Sequence, residues 1–253
     1  VDVGVMSDYN CPAIVNRKIA YGTKNFYLEP AMTREQAEQA ICVGLEMADK
    51  CAEDGVDIIG VGEMGIGNTT TSAAVLSAFT GKPASVTAGK GGGLLEDAYR
   101  HKLEVIDGAI EKHKPNPNDP IDVLAKVGGL DICAMAGVFL GAAEHKIPVV
   151  IDGFISVVAA LSAARICPAA KDYFIASHAS FEPGYLLAVN ELGLEAPLLL
   201  KMRLGEGSGC PVMFRVLDAA YAIMNEMATF EEASINDSYL DEIRIGDNFT
   251  VKR

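Results

Sequence analysis

The residues of this sequence best suited to chemistry sit in short glycine-rich strings. Gly65-Ile66-Gly67-Asn68-Thr69-Thr70 lies between an apolar run at 56–61 and an Ala/Val/Leu-rich segment, with Glu63 just upstream. Glycines at such a junction let backbone N–H groups turn inward, and a following helix adds partial positive charge, so the string suits a phosphate. It lacks the lysine of a P-loop and does not itself complete the G-x-G-x-x-G dinucleotide fingerprint, which disfavours a nicotinamide-dependent oxidoreductase. Two readings stay open for it: an anion cradle, or a plain helix start capped by Asn68 or Thr69.

Lys102 bears on that choice. At 100° per residue Leu95, Ala98, Tyr99, Leu103, Ile106, Ala109 and Ile110 form one apolar stripe, and Lys102 falls inside it, away from Glu96, Arg100 and Glu104. An ammonium aimed at a core needs an anion or a salt bridge. A phosphate held jointly by Lys102 and the 65–70 string answers both observations. Glu206, between Gly205 and Gly207, is the candidate proton acceptor, because its neighbours leave room for close approach to a ligand. Glu63 is a second carboxylate that can stabilise positive charge.

These residues need elements to carry them. Apolar runs at 56–61, 147–151, 173–176 and 197–204 read as strands, and each exits into a polar string: Glu63, Asp152-Gly153, Ser177-His178 and Gly205-Glu206. The opening residues 1–5 read as a further strand. Between them lie helical patterns: one launched by a capping box at Thr33 and Gln36 and stopped by Gly55, then 94–114, 130–143, 154–166, 182–192, and one from Pro211 to Met227. Strand and helix alternating in this way predict an α/β fold, a mainly parallel sheet flanked by helices (Rossmann-like) with right-handed crossovers. In such a sheet ligands bind beyond the carboxyl ends of the strands, so the four exits should face one crevice. Residues 1–230 form the predicted α/β domain, and 231–253 a polar tail, exposed or disordered.

Composition narrows the classes. The 253 residues carry 21 Lys+Arg against 34 Asp+Glu, a net charge of −13, which gives no electrostatic footprint for nucleic acid or anionic lipid. Hydrophobic residues make up 50% but aromatics only 7%, beside 25 glycines, a vocabulary of helices packed on buried parallel strands. No apolar run is long enough for a membrane span, and no signal peptide is expected. The six cysteines form no Cys-x-x-Cys pair and the four histidines no His-x-x-x-His spacing, so a reducing cytoplasm and no protein-ligated metal are expected.

Taken in order, Gly62-Glu63-Met64-Gly65-Ile66-Gly67-Asn68-Thr69-Thr70, Ile151-Asp152-Gly153-Phe154, Ala176-Ser177-His178 with Ser180-x-Glu182-Pro183-Gly184, and Arg203-Leu204-Gly205-Glu206-Gly207-Ser208-Gly209 resemble the nicotinate-nucleotide–dimethylbenzimidazole phosphoribosyltransferases (the CobT family). The likeness runs from Val1 to about Phe230. It implies transfer of phosphoribose from nicotinate mononucleotide to 5,6-dimethylbenzimidazole or a related base, giving α-ribazole 5′-phosphate and nicotinate in cobalamin nucleotide-loop assembly. It further implies a homodimer, remnants of a small helical domain, a further N-terminal region ahead of Val1, and no cofactor. By the same resemblance Glu206 is the proton acceptor, and the 5′-phosphate sits on the 65–70 string with Lys102 and Ser180. The rival reading is a truncated or regulatory homologue that binds nicotinate mononucleotide without turnover.

Overall fold

The computed structural model describes residues 1–236, 238 and 241. It divides into two compact units, one of Val1–Met213 and one from Phe214 onward. In the first unit three parallel strands, β1 (Ile59–Val61), β2 (Val149–Ile151) and β3 (Phe174–Ala176), lie in that order, with Ile59 opposite Val149 and Val149 opposite Phe174. Because all three run the same way, Gly62, Asp152 and Ser177 emerge at one edge, where a parallel sheet places its ligands.

The helices are α1 (Arg34–Glu53), α2 (Thr69–Thr80), α3 (Ala84–Thr87), α4 (Glu96–His113), α5 (Pro120–Val127), α6 (Leu130–Glu144), α7 (Phe154–Ile166), α8 (Pro183–Leu192) and α9 (Gly209–Glu226), with a 3-10 turn at Pro168–Tyr173. The capping box is formed: the Gln36 N–H donates to Thr33 Oγ1 at 3.2 Å and the Thr33 N–H to Gln36 Oε1 at 3.0 Å. Its reciprocal bonds satisfy two of the amides that every helix start leaves unpaired. α1 is capped at its C-terminal end by Asp54, and Gly55 follows in the left-handed region at φ +71°. α1 and α6 cross where Gly44 and Gly137 bring the two backbones into contact. α6 and α7 bury apolar side chains over most of their surface, and Phe139 of α6 meets Phe174 of β3 edge to face at 4.8 Å between centroids.

Two predicted strands are not part of the sheet. Residues 197–204 make one bridge, Leu198 to His178, and Lys201 then turns left-handed at φ +54°, ending any extended run. Residues 1–5 make one bridge, Asp2 to Asn16, because the Asp2 side chain accepts from the Gly4 and Val5 amides and bends the chain. The letters G-x-G-x-x-G do occur at Gly60, Gly62 and Gly65, but Gly60 lies inside β1 and α2 opens only at Thr69, so this is not a strand–turn–helix dinucleotide site.

The second unit contains α9 from Phe214 and a turn in which the Glu232 side chain accepts from the Thr229 N–H at 2.8 Å. Most of the predicted 231–253 tail lies outside the described residues. No helix among the described residues is long and apolar enough to cross a membrane.

Candidate active site

At the end of β1 the chain makes the 65–68 turn, in which the Asn68 N–H donates to the Gly65 carbonyl at 2.9 Å and the Thr70 N–H to the Gly67 carbonyl at 3.1 Å. Asn68 stands at the start of α2, yet its side chain does not cap the helix. Its amide nitrogen instead donates to Glu63 Oε2 at 2.6 Å and to Asp131 Oδ2, on α6, at 2.7 Å. Of the two readings of this string, the capping one is therefore not what Asn68 does. Burial pushes the Glu63 carboxyl above its ordinary range, and the nearby Asp131 and Asp152 charges push it further, against the Asn68 bond. Ile66, at the tip of the turn, is 98% exposed and is among the residues lining the adjoining cleft.

The 205–208 turn repeats this pattern. The Ser208 N–H donates to the Gly205 carbonyl at 3.0 Å and the Cys210 N–H to the Gly207 carbonyl at 3.1 Å, after which α9 begins. Gly205, Glu206 and Gly207 are all left-handed, at φ +76°, +59° and +76°. A glutamate there costs on the order of 1 kcal/mol or more, so the surroundings must hold it. Asp152 does so from the end of β2: its carboxylate accepts from the Gly207 N–H at 2.9 Å and from the Gly209 N–H at 2.7 Å. Asp152, Ser177 and His178 are all buried. Ser177 Oγ donates to the Asp152 carbonyl at 3.0 Å and lies 3.1 Å from His178 Nδ1, while burial holds the His178 imidazole below its ordinary range. Both Asp152 and His178 stand against Gly209, where any side chain would strike them. Gly153 and Ser180 face each other across the β2 and β3 exits, a Cβ on the glycine falling 3.7 Å from Ser180 Oγ.

The two turns meet. A Cβ on Gly62 would collide with Gly207 and lie 2.8 Å from the Glu206 carbonyl carbon, and one on Gly205 would lie 3.7 Å from Glu63 Oε1. Lys102 is buried on α4, as its place in the apolar stripe predicted, and its ammonium donates to Thr69 Oγ1 at 2.9 Å and to the Gly89 carbonyl at 3.0 Å. Burial pushes this ammonium below its ordinary range, and the Glu182 charge pulls it partly back. One Glu182 oxygen is buried with no hydrogen-bond partner.

A cleft of about 950 Å³ is lined by Glu63, Asn68, Thr70 and Asp131 together with apolar residues such as Met47 and Val138. Glu206 is exposed, and neither it nor Lys102 is among the residues lining this cleft. The structure thus brings Glu63, Gly65, Asn68, Gly205 and the Glu206 backbone together, with Asp152 holding the second turn and Lys102 on Thr69. Sequence reasoning missed Asp131, whose only signal is a carboxylate opening an otherwise apolar helix. It also missed the part played by residues 1–6, several of which line the cleft. Among the described residues no cluster of three or more His, Cys, Asp or Glu is placed to hold a metal ion.

A phosphoribosyltransferase family model matches residues 1–235. The nicotinate-nucleotide–dimethylbenzimidazole phosphoribosyltransferase of Clostridium perfringens is 55% identical over 243 residues, covering 96% of this chain and 67% of the relative. That of Ruminiclostridium cellulolyticum is 52% identical over 235 residues, covering 93% of this chain and 67% of the relative. The crystal structure of CobT from Thermus thermophilus superimposes with a TM-score of 0.89 at 38% identity, over 94% of this chain and 71% of that one. This chain spans about two thirds of the length of these relatives. On motif order, fold and identity alike, the chain belongs to this phosphoribosyltransferase family.

Proposed function

We propose that the chain transfers phosphoribose from nicotinate mononucleotide to 5,6-dimethylbenzimidazole or a related base, forming α-ribazole 5′-phosphate and nicotinate for cobalamin nucleotide-loop assembly. The observation that carries this reading is the contact between the 62–70 and 205–209 turns, which sets two carboxylate-bearing strings against one another. The 5′-phosphate rests on the 65–70 turn at the positive end of α2, with Lys102 behind Thr69 and Ser180 at the β3 exit. The bond from ribose C1′ to the pyridinium nitrogen breaks, its electron pair staying with nicotinate. The azole nitrogen then bonds to C1′, and Glu206 takes the proton from the other ring nitrogen, which leaves the product azole neutral. Glu63, ionised, stabilises positive charge on the sugar as the leaving group departs. Asp152, Ser177 and His178 hold the Glu206 turn in place. The working form is a homodimer, for which exposed Tyr221, Ile223, Met224 and Met227 offer apolar surface.

Incubation with nicotinate mononucleotide and dimethylbenzimidazole tests the reading: nicotinate and α-ribazole phosphate appear together. Tight nucleotide binding with no release of nicotinate would favour the non-catalytic alternative. Lys102→Met is expected to weaken nicotinate mononucleotide by about ten- to a hundredfold, the loss of a charge-assisted bond to phosphate. Calorimetric titration against nicotinate mononucleotide and its dephosphorylated riboside checks this, since the riboside should bind both proteins alike.

A further inference from the structure

The amide of Asn68 spends both of its protons on carboxylates, one on Glu63 and one on Asp131. Ionised carboxylates only accept, so the amide cannot be turned over without setting its oxygen against two anions. Its direction is fixed by the pair. The packing leaves no slack: a Cβ on Gly65 would fall 2.6 Å from Asn68 Nδ2 and 2.8 Å from Asp131 Oδ2. Asp131 lies in the first turn of α6, where an acid also complements the helix dipole, but a helix-end role alone would not aim its Oδ2 at Asn68. Asn68 forgoes its own helix to make this bridge.

We propose that Asp131 is a positioning residue for Glu63: through the Asn68 amide it fixes where the Glu63 carboxylate points, so the two acids and the amide act as one unit facing the Gly205 turn. The role in turnover rests on the reading of Glu63 as the group that stabilises charge on the ribose. The groups facing Glu63 are Asn68 at the α2 start, Asp131 on α6, Asp152 after β2 and the Gly65 amide of its own turn. Asp131 disfavours the ionised Glu63 through its charge, whereas the Asn68 bond favours it. Removing one or the other must therefore move Glu63 in opposite directions.

Asp131→Asn keeps an oxygen to accept from Asn68 and removes the charge, Asp131→Leu removes both, and Asn68→Leu removes the bridge. Carbon NMR of labelled glutamate carboxyls, with Glu63 assigned through Glu63→Gln, reads the titration directly and needs no turnover. Its midpoint should move to lower pH in Asp131→Asn and to higher pH in Asn68→Leu, and the acid limb of kcat/KM should move with it. Asp131→Leu should lower kcat by about ten- to a hundredfold with little change in KM for nicotinate mononucleotide, and Asp131→Asn should restore most of it. An unmoved Glu63 midpoint in folded Asp131→Asn and Asn68→Leu would overturn the proposal, as would wild-type kcat in Asp131→Leu. If Asp131→Leu does not fold, the other two variants decide. If the wild type releases no nicotinate, the proposed reaction fails while the NMR titration still judges the positioning.

Discussion

Glu206→Gln is expected to lower kcat for nicotinate release by about 10²–10⁴, the worth of a positioned proton acceptor. Gln has the same shape and meets the same backbone cost at φ +59°, so the turn should survive the change. The carboxylate is exposed and makes no hydrogen bond or ion pair among the described residues, so melting temperature should hold. Binding of nicotinate mononucleotide should hold too, because the proton is taken from the incoming base and not from the nucleotide. Steady-state kinetics beside a calorimetric titration separates these effects. A kcat within about threefold of wild type would remove Glu206 from the role.

Gly62→Ala is expected to be nearly as damaging for a different reason. The added methyl would enter space held by the Gly207 backbone and lie 2.8 Å from the Glu206 carbonyl carbon. Backbone cannot rotate away as a side chain can, so the 205–209 turn must shift. Asp152 resists that shift through its bonds to the Gly207 and Gly209 amides. Forcing one methyl into such a site typically costs about 1–3 kcal/mol of stability. A displacement of about 1 Å at a reacting group is enough for about a hundredfold loss in rate. The expected result is a modest fall in melting temperature beside a fall of about a hundredfold in kcat/KM. Full activity in the folded variant would mean that the contact between the turns is incidental.

Local signals were legible in the sequence and long-range ones were not. The helix at 154–166 and the Thr33 capping box follow from periodicity and cap chemistry within a few residues, and both are as read. The burial of Lys102 follows from its position on a helical wheel. The failed strand at 197–204 had the right apolar content, but a left-handed Lys201 carries no compositional warning. Asn68 shows the limit most plainly. Its position predicts a cap, and only the arrival of Asp131, 63 residues later, shows where its amide goes. Asp152 likewise reads as a polar strand exit until the 205–209 turn, brought in from 55 residues away, is seen hanging on its two oxygens.

On the proposed reading the 62–70 and 205–209 turns close around one sugar-phosphate. A crystal structure of the chain soaked with nicotinate mononucleotide is the decisive measurement. The phosphate is expected on the 65–70 turn within reach of Lys102, and C1′ between the carboxylates of Glu63 and Glu206. A nucleotide bound with its phosphate elsewhere, or with Glu206 turned away from C1′, would contradict it.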